Sequence, residues 1–311
     1  MTNMIATRDA YGEALKELGG LNEDIVVLDA DLSGSTKTSI FKKAYPERFF
    51  NVGIAEQNLI GTAAGLAAAG KTSFASTFAV FATGRAFEII RNSVCYPKLN
   101  VKIAATHAGL MVGEDGATHQ ALEDISIMRS LPNMVVLNPA DAVETKQCIF
   151  KAAEHNGPVY IRLGRSKVPV IFDENYKFEI GKGVELKEGN DITIIATGVM
   201  VEKALLAAEE LLKEGISARV INMSTIKPID KDIIIKAANE TKGIVTVEEH
   251  NIIGGLGSAV AEVVVENSPT YVERIGTMDT FGESGDGNKL LEKYGLNVDN
   301  IVNKSKLILS K

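Results

Sequence analysis

The stretch HAGLMVGEDGATHQ (107–120) holds two of the chain's four histidines and two carboxylates. Glycines punctuate it, and it follows a strand-like run, VKIAAT (101–106). Loops of this kind concentrate function. Three roles fit His107, Asp115 and His119. They could hold a metal, although the spacing matches no standard metal motif. They could serve as structural hydrogen-bonding groups. Or they could recognise a polyhydroxylated substrate and move protons, as His and Asp can near neutral pH. The third role accounts best for the residue types.

Other candidates are weaker alone. ADLSGST (30–36) follows the run IVVLDA (25–30), and its small hydroxyl residues and glycine suit either an anion-binding turn or a plain capped turn. Glu56 in GIAEQN (53–58) opens an Ala- and Gly-rich helix, where a carboxylate is favourable electrostatically whatever else it does. The small residues of GTAAGLAAAG (61–70) also suit a tightly packed interface. Phe78 and Phe81 are spaced i, i+3, as core residues or as a platform for a heteroaromatic ring. Arg162 and Arg165 follow the run PVYI (158–161). One of them suits phosphate binding, and the other reads as a solvated surface charge. His155 and His250 read as structural or exposed. GGLGSA (254–259) is half a dinucleotide fingerprint and carries little weight.

These residues need elements to position them. A helix is expected at 5–19, with strands at 25–30, 49–54, 101–106, 134–138 and 158–163 and helices near 57–69, 79–94 and 141–155. Continuous apolar strands alternating with helices imply a mostly parallel sheet covered on both faces. The alternation pauses over 166–190 and resumes with strands at 192–197, 218–223 and 243–249 and helices at 200–214 and 257–267. The chain therefore divides into a doubly wound α/β domain (1–170), a linker (171–190) and a smaller α/β domain (191–311). In such sheets ligands bind outside the carboxyl ends of the strands, where the candidates above fall.

Composition narrows the classes. The chain has 311 residues, is 45% hydrophobic and carries a net charge of -7, which argues against broad nucleic-acid or anionic-membrane binding. Two cysteines are too few for a disulfide framework, so a reducing cytoplasm is expected. No signal peptide or membrane-spanning run is visible.

Taken together, the segments resemble the transketolase family, specifically its pyrimidine-binding and C-terminal domains. The resemblance rests on ATR (6–8), ADLSGS (30–35), GIAEQ (53–57), STFAVF (76–81), ATHAGLMVGEDGATHQ (105–120), SLPNMVVLNPAD (130–141) and IRLGRSKVP (161–169). The second half adds IATG (195–198), INMSTIKPID (221–230) and VEEHNIIGGLGSAVAE (247–262). The long His-to-His loop is highly specific; the shorter pieces are not.

The resemblance implies a thiamine-diphosphate enzyme with Mg²⁺ that transfers a two-carbon ketol unit between sugar phosphates. Glu56 looks like the glutamate that hydrogen-bonds the cofactor's aminopyrimidine, and Phe78 and Phe81 like its stacking aromatics. A third aromatic, often one turn later, is Gly84 here. Asp31 matches an aspartate near the cofactor and the subunit interface. His107, Asp115 and His119 look like ligands of the sugar's hydroxyl and carbonyl groups, with both histidines catalytic. Arg8, Ser35 and Arg165 match the anchors of the substrate phosphate.

The family's diphosphate- and Mg²⁺-binding domain, with its GDG…N motif, would precede this chain. GDGN (285–288) lies in the final domain and reads as a surface loop. The resemblance therefore implies a separate N-terminal subunit that supplies the metal ligands, and self-dimerisation within a heterotetramer. Related alternatives are a subunit like deoxyxylulose-phosphate synthase or like the β chain of a 2-oxo-acid dehydrogenase. The first typically has an acidic residue at the position of His107, and the second usually lacks the paired histidines. A non-catalytic binding protein on the same fold is a further alternative.

Overall fold

The computed structural model describes residues 3–311. In chain order the first half forms β1 (Met4–Ala6), β2 (Ile25–Asp29), β3 (Phe49–Asn51), β4 (Thr72–Phe78), β5 (Val101–Thr106), β6 (Val135–Leu137), β7 (Val159–Arg162) and β8 (Lys167–Pro169). The second half forms β9 (Val184–Lys187), β10 (Ile192–Ala196), β11 (Ala218–Asn222), β12 (Thr225–Lys227), β13 (Gly243–Asn251) and β14 (Tyr271–Thr277). The described residues build two main sheets, ordered β12-β6-β7-β5-β4-β2-β3 and β14-β13-β10-β11-β9. Both are parallel except at one edge, where β12 and β9 pair antiparallel with β6 and β11. This is the expected α/β architecture with two mostly parallel sheets.

Helices cover both faces of the first sheet. Tyr11 and Leu15 of helix Thr7–Leu21 pack with Cys148 and Ile149 of helix Ala142–Glu154 on one face. Leu59 and Ile60 of helix Glu56–Ala68 pack on the other. Each fully buried Leu or Ile contributes about 1.5–3 kcal/mol. The apolar cluster containing Leu59 and Ile60 continues to Ile221, Met223 and Val260 of the second half, so the contact between the halves is itself core.

The structure departs from the sequence expectation at identifiable places. β4, in the middle of the first sheet, is not anticipated, because TSFASTF is rich in Ser and Thr rather than continuously apolar. Two of its hydroxyls find polar neighbours inside the protein, Ser76 Oγ at 2.6 Å from the Tyr11 hydroxyl and Thr72 Oγ1 at 3.0 Å from Asn100 Nδ2, and those of Ser73 and Thr77 are buried without a partner. The expected helix at 79–94 is broken into wide π-helical turns at Phe81–Arg85 and Ile90–Cys95 around the short helix Phe87–Ile89. Gly84 sits in the first of them, exposed to solvent. π-Type turns insert a residue into a helix and often occur at functional sites. The helix expected from residue 5 starts at Thr7, after β1 pairs with β8. In the segment read as a linker, Val184–Lys187 is the edge strand β9. β14 and the helices Lys231–Glu240, Gly287–Lys293 and Val298–Leu309 are additional. No helix among the described residues is long and apolar enough to cross a membrane.

The order β3-β2-β4-β5 matters most for the site. The chain runs outward from β2 to β3, then returns to β4 on the other side of β2. The direction of winding reverses between β2 and β4, and a crevice opens at their carboxyl ends.

Candidate active site

Phe78 is the last residue of β4, and His107 follows β5 directly, so adjacent strands deliver both rings to one spot. The Phe78 and His107 rings stack with centroids 3.8 Å apart. Phe81, one turn past β4, lies nearly parallel to Phe78 at 5.9 Å and 16°. His119 meets Phe81 edge-on at 5.5 Å. Phe78 is thus the buried middle layer of a stack, and Phe81 is the half-open ring.

Arg8 enters from the first turn of helix Thr7–Leu21. Its Nη1 donates to His107 Nε2 at 3.1 Å and to the Ser35 carbonyl at 3.1 Å. An arginine can only donate, so Nε2 must accept, and the His107 proton sits on Nδ1, which donates to Thr106 Oγ1 at 2.9 Å. Burial, together with Arg8, Arg165 and His119, pushes the His107 imidazole down to about 3. His107 is therefore a neutral hydrogen-bonding group, not a titrating acid near neutral pH. Its φ of 59° is unusual for a non-glycine residue. That conformation costs about 1–3 kcal/mol and persists because contacts to Phe78, Arg8 and Thr106 fix the ring.

Arg165 follows β7 and faces the same loop. Its Nη1 donates to the Val112 carbonyl at 2.7 Å and to Asp115 Oδ2 at 3.3 Å. Two guanidiniums thus meet the loop that carries His107, Asp115 and His119, Arg8 at His107 and Arg165 at Val112 and Asp115. Ser35 contributes its carbonyl to this arrangement.

Glu56 approaches from the aromatic side. Its side chain is 1% exposed, and Oε2 accepts from Arg85 Nη1 at 2.7 Å. The Arg85 guanidinium lies 4.8 Å from the Phe81 ring centroid, so one cation links the carboxylate to the half-open ring. Glu56 Oε1 forms no hydrogen bond among the described residues. Asp31 stands at the exposed rim, with φ 65°, and accepts from Asn51 Nδ2 at 2.8 Å. No described cluster of three or more His, Cys, Asp or Glu side chains is arranged to hold a metal ion.

The sequence reading of the two arginines near β7 needs correction. Neither is simply a solvated charge. Arg162 is 4% exposed, donates through Nε to Asp124 Oδ2 at 2.8 Å and through Nη2 to the Glu249 carbonyl at 2.9 Å. It ties the two halves together beneath the site. The loop at GDGN also has a more specific place than its surface reading implied. Asp286 caps helix Gly287–Lys293, and Gly285 N donates to the Gly113 carbonyl at 3.4 Å. GGLGSA holds no outside anion in its turn: the buried Glu248 carboxylate accepts from Leu256 N (2.7 Å) and Gly257 N (2.8 Å) at that helix start. His250 is buried, accepting from Ser126 N at Nε2 and donating from Nδ1 to the Asn251 carbonyl. Arg85 and Glu249 were missed by sequence reasoning, since nothing in their spacing points to the groups they meet.

Comparison with known proteins gives this arrangement a context. The family model for the transketolase pyrimidine-binding domain matches residues 3–170, and that for the transketolase C-terminal domain matches residues 181–301. A Methanocaldococcus jannaschii protein, provisionally described as a transketolase C-terminal section, is 57% identical over 300 residues, covering 96% of this chain and 94% of its own length. A 6-deoxy-6-sulfo-D-fructose transketolase subunit from a Clostridium strain is 44% identical, covering 95% of this chain and 92% of that protein. Among solved structures, one described as a split-gene transketolase in an inactive β4 tetramer superposes with a TM-score of 0.93 at 61% identity, covering 98% of this chain and 99% of that one.

Proposed function

This chain belongs to the transketolase family, and on that premise we propose that it is the pyrimidine-side subunit of a two-chain transketolase. Its reaction is transfer of a two-carbon ketol unit from a ketose phosphate to an aldose phosphate, as in pentose phosphate metabolism. The observation that carries this reading is the convergence, at the carboxyl ends of the central strands, of a carboxylate, an aromatic stack and a histidine loop contacted by two arginines.

The residues fit the pyrimidine half of thiamine diphosphate. Phe81 offers a half-open ring face, and stacking there is worth about 0.5–1.5 kcal/mol. Glu56, with Oε2 held by Arg85, has Oε1 free to accept from a ring nitrogen. When bound, the cofactor supplies the nucleophilic carbon that carries the two-carbon unit. Glu56 holds and exchanges a proton at the pyrimidine. His119 binds a hydroxyl or carbonyl oxygen of the sugar, with Asp115 beside it. His107 keeps its Nδ1 proton on Thr106 and a lone pair at Nε2, so it accepts a hydrogen bond from a sugar hydroxyl in place of Arg8 and neither donates to nor protonates a carbonyl. Arg8, Arg165 and Ser35 anchor the phosphate through charge-assisted bonds. Asp31, at the rim, faces the cofactor's approach or a neighbouring subunit.

Mg²⁺ and the diphosphate are assigned to a separate N-terminal subunit. Self-association completes the assembly as a heterotetramer. The helix Glu56–Ala68 supports this, since Gly61 and Gly65 lie on its exposed face with open space above them. Two buried free thiols, Cys95 and Cys148, fit a reducing cytoplasm.

The test is an assay with thiamine diphosphate, Mg²⁺, xylulose 5-phosphate and ribose 5-phosphate, run on this chain alone and mixed with the candidate N-terminal subunit. Activity only in the mixture is expected. No activity in the mixture with these sugars or with 6-deoxy-6-sulfofructose would defeat the catalytic reading. Activity from this chain alone would defeat the assignment of the diphosphate site to a partner.

In the active mixture, Arg165→Ala is expected to raise KM for the sugar phosphate roughly 10- to 150-fold, the equivalent of about 1.5–3 kcal/mol for one charge-assisted bond. Thermal stability should barely move, because the Arg165–Asp115 pair is partly exposed and such pairs contribute little. An unchanged KM would leave Arg165 as a loop brace only.

A further inference from the structure

One of the second domain's contacts to the sugar loop is made by a buried carboxylate. Glu249, on β13, is buried, and its Oε1 accepts from Met111 N at 2.6 Å. Directly beneath, Gly109 has φ 82° and ψ −176°, a conformation essentially reserved for glycine. A Cβ at Gly109 would lie 2.3–2.4 Å from the Glu249 carboxylate atoms. The carboxylate thus occupies the space that a side chain would fill, and the loop folds around it. Two residues before Gly109 is His107, and one residue after Met111 is Val112, whose carbonyl receives Arg165. The far side of the loop is held by the same domain: Gln120 Nε2 donates to the Glu283 carbonyl at 2.9 Å.

We propose that Glu249 is a positioning residue for sugar binding, a second-domain carboxylate that sets the backbone from which His107 and the Arg165 anchor are presented. The proposal rests on the transketolase reading for its catalytic consequence, but not for its structural one. The charged groups facing Glu249 are Arg162 from β7 and Asp124 from helix Asp124–Arg129. Its strand neighbours are committed elsewhere: Glu248 binds the start of helix Leu256–Asn267, and His250 contacts Ser126 N and the Asn251 carbonyl. Burial pushes the Glu249 carboxyl up to about 7, with Arg162 and the Met111 amide opposing the rise.

The experiment uses Glu249→Gln, which keeps size and shape, and Gly109→Ala, which attacks the same contact from the other side. Amide hydrogen exchange over residues 107–116 is measured on this chain alone, with xylulose 5-phosphate kinetics in the mixture. Exchange in that segment should rise in both variants and nowhere comparably. KM for the ketose phosphate in Glu249→Gln should rise about 5-fold at pH 8, since a bond to a charged group exceeds a neutral one by roughly that factor. kcat should change little, because Glu249 touches the loop that presents the sugar ligands and not the cofactor side of the site. Unchanged exchange would overturn the proposal. Faster exchange with an unchanged KM, or with kcat falling in place of a KM rise, would overturn the positioning role in binding. A wild-type mixture that lacks activity would count against the transketolase reading, and the exchange result would still decide whether Glu249 holds the loop.

Discussion

Glu56→Ala is expected to leave the fold intact and reduce ketol transfer in the two-chain mixture by about 10²- to 10⁴-fold, the contribution of a positioned proton-transfer group. The fold should survive because little depends on this carboxylate. Arg85, its partner, is 49% exposed and can turn to water when Glu56 is removed. The helix start loses only the favourable interaction of a negative charge with its first turn, about 0.3–1 kcal/mol. Glu56→Gln should be nearly as inactive, since an amide keeps the shape and a hydrogen-bond acceptor but cannot hold the proton. Turnover like that of the wild type in either variant would remove Glu56 from the proton-transfer role.

Arg162→Ala should act in the opposite way, through stability. Asp124 is fully buried and has only Arg162 Nε and the Tyr160 hydroxyl on its Oδ2. Removing the cation leaves a buried carboxylate without its compensating charge, at a cost of about 3–5 kcal/mol. The loss also frees the Ala121 and Glu249 carbonyls that Arg162 binds, at the seam between the halves. A large drop in denaturation midpoint is expected by chemical unfolding. The double variant Asp124→Ala/Arg162→Ala should be more stable than the sum of the single changes, because it removes the stranded charge along with its partner. A loss under 1 kcal/mol for Arg162→Ala would mean that water enters to solvate Asp124.

Both predictions show how unevenly the sequence reveals roles. Glu56 was singled out through the family resemblance, since a carboxylate opening an Ala-rich helix is by itself explained by the helix's first turn. Arg162 and Arg165 are three residues apart in one run, and nothing local distinguishes them. Strand pleating and the covering second domain do: Arg162, still within β7, turns into the seam, and Arg165, past its end, faces the loop.

The same division holds across the molecule. Apolar runs such as IVVLDA and VKIAAT, and helical periodicity such as that over 141–155, identified their elements because burial on both faces of a parallel sheet demands continuous apolar side chains. β4 escaped because its Ser and Thr residues break the continuous apolar run, and a partner such as Tyr11 for Ser76 lies 65 residues away. The sequence by itself determined the fold class, the order of the elements and which residue types could do chemistry at the strand ends. Tertiary structure decided which of them meet: Arg8 with His107 across 99 residues, and Glu249 with Met111 across 138. It also decided the protonation state of His107, because desolvation and the nearby guanidiniums depend on what surrounds the ring, and local sequence does not specify that.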